Sequence, residues 1–378
     1  MAGPLSHIKV LDLSRVLAGP WSTQILGDMG AEVIKIERPS VGDDTRHWGP
    51  PFQKNNDGSQ GDAAYFLCAN RNKKSLFIDI TTPQGQAEIQ NLVTNADIVV
   101  ENYKVGGLKK YGLDYDSLKA LNPGLIYCSI TGFGQTGPYA NRAGYDFMIQ
   151  AMGGMMSITG DSDENGGGPQ KVGVAIADIM TGMYATIGIL GALAHRDQTG
   201  EGQYIDLALL DCQIAMLANH TSNYLVSGDI PKRHGNAHVS IVPYQTFKTK
   251  DGEMVLAIGN DVQFKNFSVL TGQSWAEDDR YKTNAARVKN RETLISEINA
   301  VINQKTTEEW IDILEKHNVP CGPVNNLEQI LSDPQVISRN LVRRIEDEDG
   351  TNTPIIANPI NYSKTPIEYK ISPPKLKS

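Results

Sequence analysis

The chain has 378 residues, enough to bury a sizeable core and, by ordinary domain sizes, to form two domains. Hydrophobic residues at 40% and charged residues at 21% describe a globular protein rather than a disordered or fibrous one. A net charge of -8 argues against general binding to nucleic acid or to an anionic membrane, which needs a basic face, and leaves room for one anionic small ligand held by a local cluster of Arg and Lys.

In chain order, Ile8 to Leu13 is apolar-rich and predicts a strand. Gly19 and Pro20 punctuate it, and Trp21 to Gly30 predicts a helix ended by glycine. Val33 to Ile36 is the next predicted strand. A polar loop rich in Gly and Pro runs from Pro39 to Asp62, and Ser75 to Ile80 is the third strand. Pro83 opens a helix to about Asn95, Ile98 to Val100 is a fourth strand, and a helix around Leu118 leads to a fifth, Leu125 to Ile130. Strands separated by helices of this kind imply βαβ units and a mostly parallel, doubly wound α/β (Rossmann-like) sheet. A long helix from Asp178 to about His195 follows, then a strand, Gln203 to Leu207, and a helix, Leu209 to Tyr224.

The character changes near Ser227. Val242 to Phe247 and Met254 to Ile258 flank a turn at Asp251-Gly252, a hairpin signal. Helices over Val262 to Leu270, Arg291 to Asn303 and Thr307 to Lys316 complete a smaller α+β domain. The predicted division is a large domain of residues 1–200 and 330–378, a linker of 201–226 and a small domain of 227–329. The Pro- and Asn-rich C-terminal segment, with short strands, returns to the first domain.

Four cysteines (Cys68, Cys128, Cys212, Cys321) lack C-x-x-C spacing, and the N-terminus carries no basic-then-apolar signal pattern, so a cytoplasmic protein is expected. Val172 to His195 is apolar but interrupted by Asp178 and several glycines, which fits a buried core helix better than a membrane span. Gly132-Phe-Gly134-Gln-Thr-Gly137 matches a dinucleotide fingerprint, but Pro138 follows where a helix must begin. A tight loop that lets backbone approach a ligand is the better reading. Asp161-Ser-Asp163-Glu-Asn165-Gly166 starts like a calcium loop, yet position twelve is Val172 instead of Glu, leaving a flexible acidic surface loop. The seven histidines show no metal-ligand spacing.

One residue resists a bland explanation. Asp178 stands alone in Val172-Gly-Val-Ala-Ile-Ala-Asp178-Ile-Met-Thr-Gly182, where an unpartnered ionised carboxylate is costly. A helix N-cap, with Thr181 assisting, is one reading and a nucleophile the other, and the two combine, because the dipole at a helix N-terminus keeps a carboxylate ionised and available to attack. Around it, several segments occur in an order that resembles the family III (CaiB/BaiF-type) CoA-transferases over nearly the whole chain. They are Val10-Leu-Asp-Leu-Ser with Ala18-Gly-Pro20, Val33-Ile-Lys-Ile-Glu-Arg38-Pro and Val99-Val-Glu-Asn102-Tyr103. Thr131-Gly-Phe-Gly-Gln-Thr-Gly-Pro138, Gly144-Tyr-Asp146, Ala177-Asp178 with Thr181-Gly182, Gly200-Glu-Gly-Gln203 and Val319-Pro-Cys-Gly-Pro-Val324 continue the match.

The resemblance implies a ping-pong CoA-transferase in which Asp178 attacks an acyl-CoA, forms a mixed anhydride and then carries CoA as an aspartyl thioester. CoA and acyl-CoA are then substrates, with no permanently bound cofactor and no metal, and the second substrate is a carboxylic acid. It further implies that Arg38 meets the nucleotide phosphates, that Ile78, Asn102 and Tyr103 line the CoA path, and that Lys110 stands where relatives often have Arg. Arg71, Lys73 and Lys74 form a basic cluster and a further candidate phosphate anchor. Family members form interlocked homodimers, which this sequence permits.

Tyr145 separates this resemblance from the α-methylacyl-CoA racemases of the same fold, which carry a His there for proton transfer. Leu17 replaces a substrate-contacting Gln of the oxalate-using members, and Ala257-Ile-Gly259-Asn260-Asp261 replaces their glycine-rich loop. With Ile241-Val-Pro-Tyr-Gln245, Gly259 and Asn260 resemble the members that use succinyl-CoA and glutarate-type dicarboxylates. A racemase or epimerase, and a non-catalytic CoA-binding protein, stand as the alternatives.

Overall fold

The computed structural model describes residues 3–376, and at its centre six short strands run parallel. They are β1 (Lys9–Asp12), β2 (Glu32–Glu37), β3 (Lys73–Phe77), β4 (Ile98–Glu101), β5 (Ile126–Thr131) and β6 (Tyr204–Ala208), in the order β3-β2-β1-β4-β5-β6. Every adjacent pair is parallel. The order reverses between β1 and β4, where Val10 pairs with Ile98 and Asp12 with Val100. Sheets wound this way take ligands in the crevice beyond the carboxyl ends of the strands at that reversal. The predicted third strand, Ser75 to Ile80, lies earlier than expected, which leaves Ile78 just past the carboxyl end of β3.

Successive side chains of a strand point to opposite faces, and here both faces are covered. Val10, Val33, Ile98, Val100, Ile126 and Cys128 pack in one core with helices α1 (Ala18–Asp28) and α5 (Ile176–Thr199). Leu11, Ile36, Val99 and Tyr127 pack in the other with α2 (Pro83–Val93) and the short α3 (Tyr115–Lys119). A further helix, α4 (Asp146–Met152), precedes α5. Because α1 and α5 link parallel strands, both run back against the sheet and begin at its carboxyl edge. They meet at Gly182, where an added Cβ would stand 2.7 Å from the Ala18 carbonyl oxygen and 3.1 Å from the Trp21 Cβ. No side chain fits that crossing.

By length and composition alone, α5 could cross a membrane. Its buried positions Ala177, Thr181, Ala185, Ile189 and Leu193 pack into the first core, whereas Met183, Tyr184 and Ile187 are exposed. The helix expected over Leu209 to Tyr224 is broken. It forms α6 (Leu209–Met216) and α7 (Asn219–Ser227), with Ala218 between them in the left-handed region at φ 46°.

The chain divides into two compact units, one of Met1–Met155, Lys171–Asp229 and Pro334–Ser378, the other of Met156–Gln170 and Ile230–Asp333. Residues 201–226 are therefore no linker. β6 is hydrogen-bonded along β5, so that stretch belongs to the first unit's sheet. The second unit holds an antiparallel sheet of β7 (Tyr244–Lys248), β8 (Glu253–Ala257) and β9 (Cys321–Pro323), ordered β9-β8-β7. Its core of Phe247, Leu256, Phe264, Leu294, Trp310 and others is shared with α8 (Asp261–Leu270), α9 (Arg291–Ile302) and α10 (Thr307–Glu315). The acidic loop at Asp161 also lies in this unit and is pinned rather than free: Arg233 donates to the Asp161 carbonyl and pairs with the Asp163 carboxylate. Among the described residues, no group of three or more His, Cys, Asp or Glu is placed to hold a metal ion.

After the hairpin β10 (Val342–Glu346) and β11 (Asn352–Ile356), the C-terminal segment packs on the first unit. Asn358 donates to Asp28 over 3.1 Å, and the Asn72 N–H donates to the Ile371 carbonyl over 2.8 Å.

Candidate active site

The turn from β1 into α1 is held by side chains in place of backbone partners. The Ser14 N–H donates to Asp12, and its carbonyl accepts from the Lys35 ammonium at 2.9 Å. The Arg15 N–H donates to Asn102 Oδ1 at 2.9 Å, and the Arg15 carbonyl accepts from Asn102 Nδ2 at 2.7 Å. The Val16 N–H faces both carboxylate oxygens of Asp43 at 3.3 and 3.4 Å. Val16 itself sits at φ 70°, a region that a β-branched residue rarely enters. The turn ends at Leu17, whose carbonyl accepts from the Trp21 N–H. α1 starts there with no side-chain cap.

Buried ion pairs back this turn. Lys35 pairs with Asp43 at 2.9 Å, and Lys73 with Asp12 at 3.1 Å, all four side chains fully buried. Burial alone would raise the Asp43 carboxyl, but the Lys35 ammonium and the Thr45 donors override it and hold Asp43 at about 2. Burial pushes the Lys73 ammonium down to about 8, against the pull of Asp12.

Across the crevice stands Asp178, in the first turn of α5. It is not the N-cap. Ala175 holds that position, and the capping carboxylate comes from Asp146, whose Oδ1 accepts from the Ala177 N–H at 2.8 Å and the Asp178 N–H at 3.4 Å. Buried Gln150, one turn further along α4, completes the support. Its amide nitrogen donates to Asp146 Oδ2 at 2.7 Å, and its oxygen accepts from the Val172 N–H at 2.8 Å. The side-chain carboxylate of Asp178 has no hydrogen-bond or ion-pair partner among the described residues. Burial, then the like charge of Asp146, push it up to about 7. The dipole that was expected to keep Asp178 ionised is thus taken up by Asp146. Asp178 and Gly182 lie four residues apart on one face of α5, and at Gly182 that helix meets the Ala18 carbonyl at the start of α1.

Tyr65, in the short helix Ala64–Leu67, also belongs to this neighbourhood. Burial, followed by the negative charge of Asp178, pushes its hydroxyl up to about 12, and its ring meets Trp48 edge-on at 5.3 Å. Tyr145 is 65% exposed and forms the N-cap residue of α4, directly before Asp146.

The remaining predicted residues separate into two groups. Arg38, Ile78, Asn102 and Tyr103 follow the carboxyl ends of β2, β3 and β4, at the edge where Asp178 and Leu17 stand. Arg38 and Arg15 both pair with Asp44, at 3.1 and 3.0 Å, leaving one excess positive charge at the crevice. The Arg15 guanidinium lies 5.4 Å from the Tyr103 ring centre. Ile78 is buried in the second core, and its N–H donates to the Glu37 carbonyl at 2.9 Å. Lys110 is exposed over the Tyr111 ring and has no acid partner among the described residues.

The basic cluster does not join this group. Arg71 is buried in a two-pronged pair with Asp28, at 2.9 and 2.6 Å. Lys73 is enclosed by Asp12, Asn70 and the Pro20 carbonyl. Lys74 pairs with Glu32 at 3.1 Å, at the amino-terminal ends of β2 and β3. Arg71 and Lys73 are buried in their pairs, and Lys74 is exposed at the opposite end of the strands from Asp178. Gly259 and Asn260 belong to the second unit, where Asn260 caps α8 through the Gln263 N–H at 2.9 Å.

In the glycine loop, Gly132 has a partner within the protein, while Gly134 meets only ordinary contacts and Gly137 faces open space. A Cβ on Gly132 would stand 2.5 Å from the Gly144 Cα, so the two loops cross backbone on backbone. What approaches Gly132 is Gly144, and the crossing fixes the start of α4, hence Tyr145 and Asp146. Sequence reasoning quoted Asp146 without giving it a role and overlooked Gln150, Tyr65 and Arg15. Asp146 in the first turn of α4 with Gln150 four residues on is a pairing that spacing can suggest, but the capping of α5 by Asp146 is not. Nothing in the sequence around Tyr65 marks it.

The model of CoA-transferase family III matches residues 5–378. The succinate–glutarate CoA-transferase of Agrobacterium fabrum is 51% identical over 378 residues, covering 99% of this chain and 93% of that protein. The human succinyl-CoA:glutarate CoA-transferase is 43% identical over 374 residues, covering 99% of this chain and 83% of that protein. The crystal structure of a CAIB/BAIF family protein from Brucella suis superposes with a TM-score of 0.88 at 50% identity, covering 100% of this chain and 97% of that one. With its doubly wound sheet and these relatives, the chain belongs to CoA-transferase family III.

Proposed function

We propose that this enzyme transfers CoA from succinyl-CoA to glutarate or a closely similar dicarboxylate, with Asp178 as the covalent nucleophile. The observation that carries the proposal is the unpartnered carboxylate of Asp178, pushed up to about 7 at the carboxyl edge of the sheet. The choice of substrates rests on the two relatives named for succinate and glutarate.

An Asp178 oxygen attacks the thioester carbonyl, the C–S bond breaks, and CoA leaves as the thiolate from a mixed anhydride. The thiolate attacks the aspartyl carbonyl, the anhydride C–O bond breaks, succinate departs, and CoA remains on Asp178 as a thioester. Glutarate reverses both steps and leaves as glutaryl-CoA. Splitting one exchange into reversible acyl transfers is the benefit of covalent catalysis. The environment of Asp178 favours it in a second way. Acylation removes the desolvated charge that burial and Asp146 disfavour, so the acylated states are relieved of a penalty borne by the free enzyme.

Arg38 and Arg15, sharing Asp44, supply the positive charge for CoA phosphates, and exposed Tyr145 offers a hydroxyl to the substrate carboxylate. A tyrosine there leaves the site without the second proton-transfer group that a racemase needs. The exposed apolar residues Met183, Tyr184 and Ile187 on α5, with Leu225 and Val226 on α7, support a homodimer in which a second copy covers them. Four unpaired cysteines support a cytoplasmic setting.

The test is trapping. Enzyme incubated with succinyl-CoA and hydroxylamine should carry a hydroxamate at Asp178 by peptide mass spectrometry, and glutarate should discharge the adduct. Wild-type exchange by Asp178→Ala would remove Asp178 from the mechanism.

A further inference from the structure

The side chain of Asn102 stands where a CoA contact was expected, yet both ends of its amide are engaged within the protein. Oδ1 accepts from the Arg15 N–H, Nδ2 donates to the Arg15 carbonyl, and these two bonds close a ring with the backbone of Arg15. The next residue is Val16 at φ 70°. A β-branched side chain in the left-handed region is strained, and such strain persists only where the surroundings over-determine it. Here Asn102 holds the residue before Val16, Asp43 holds its N–H, and Lys35 holds the Ser14 carbonyl. The residue after Val16 is Leu17, which opens α1, the helix that α5 meets at Gly182, one turn beyond Asp178.

We infer that Asn102 is a positioning residue: with Asp43 it clamps Val16 in a strained left-handed conformation, and that clamp sets the start of α1 against Asp178. This rests on the functional reading above and adds a part that the reading does not contain. Without the clamp, the Ser14–Leu17 turn relaxes, and Leu17 and the first α1 N–H groups leave the position from which they face the reacting acyl group. Arg38 lies outside the turn and keeps its pair with Asp44, so its hold on CoA phosphates is little affected. The clamp therefore acts on turnover more than on CoA affinity.

The strain supplies its own test. Glycine enters the left-handed region without steric cost, so Val16→Gly removes much of the need for a clamp. Asn102→Ala should lower kcat by about 10- to 100-fold, the scale of a small misplacement of reacting groups. KM for succinyl-CoA should stay within about threefold. Adding Val16→Gly should restore at least a third of the lost logarithm of kcat. Asn102→Asp keeps the acceptor for the Arg15 N–H and loses the donor, so it should cost about fivefold and guards against a variant that does not fold. A rise in KM with kcat intact would make Asn102 an ordinary ligand contact and overturn the inference. So would a kcat loss that Val16→Gly leaves untouched. The same coupling is read in melting temperature, where the drop caused by Asn102→Ala should be at least halved in the Val16→Gly background. That measurement needs no turnover, so an inactive wild type would count against the functional reading while the clamp is still judged.

Discussion

Two sets of buried carboxylates stand at the same edge of the sheet and are treated in opposite ways. Asp12 and Asp43, behind the β1–α1 turn, each face a buried lysine and hydroxyl or backbone donors, and both are held below the usual carboxylate range. Asp178, in the first turn of α5, has no donor partner among the described residues, stands near a second carboxylate and is pushed up to about 7. Burial opposes ionisation at all three. The outcome is decided by partners, which two of the residues have and the third lacks. An acid that is fully satisfied fixes a backbone, whereas one left unsatisfied keeps its lone pairs for chemistry.

Removing each partner tests this contrast, and the largest effect is expected at the unsatisfied acid. Asp178→Ala should lower succinyl-CoA to glutarate exchange by ~10⁴-fold or more, as loss of a covalent nucleophile does. The protein itself should be no less stable in a thermal melt, because a desolvated charge has gone. At the satisfied acids the sign is reversed. Asp43→Asn leaves the Lys35 ammonium buried without its counter-charge and should destabilise the fold by about 3–5 kcal/mol in denaturant unfolding.

Arg38→Ala should raise KM for succinyl-CoA about tenfold with little change in kcat. Arg71→Ala should leave KM unaltered while lowering stability by about 3 kcal/mol, since it strands buried Asp28. A KM effect from Arg71→Ala would restore the basic cluster as a phosphate anchor.

The smallest effect concerns pH. A nucleophilic Asp178, as proposed, must be ionised to attack, so kcat/KM should rise with pH and level off above about 7. Its folded value lies above the ordinary value of about 4. The stability associated with Asp178 is therefore complete below pH 4 and lost as pH rises through about 7, opposite in direction to activity. Asp146→Asn removes the like charge, and the activity limb should move down by about one pH unit. An unmoved limb would leave burial as the sole cause.

Much of this architecture is visible in the chain. The apolar runs at Ile8, Val33, Ile98 and Leu125 predict parallel strands because both faces of the sheet are covered, and periodicity reports that directly. Asp178 is conspicuous because a charge inside an apolar run has few neutral explanations. The electrostatics around it are not visible. Asp146 lies thirty-two residues earlier, and which of two carboxylates caps α5 depends on a crossing of loops that spacing cannot reveal. Arg71 and Lys74 read as a basic cluster because their acids, Asp28 and Glu32, come from more than forty residues away. The break between α6 and α7 at Ala218 has no local signal, since nothing about alanine favours φ 46°.

The crossing of Gly132 and Gly144 bears on how such a site can be redesigned. Tyr145, proposed to meet the substrate carboxylate, is the position that this proposal would vary to change the acid accepted. Its loop, however, is threaded against another with no room for a single methyl group on either strand. Swapping the Gly144 segment for that of a distant relative therefore carries the Gly132 segment with it. A library that varies both loops together keeps α4 and its capping carboxylate in register, while one that varies either alone spends most of its members on misplaced backbones.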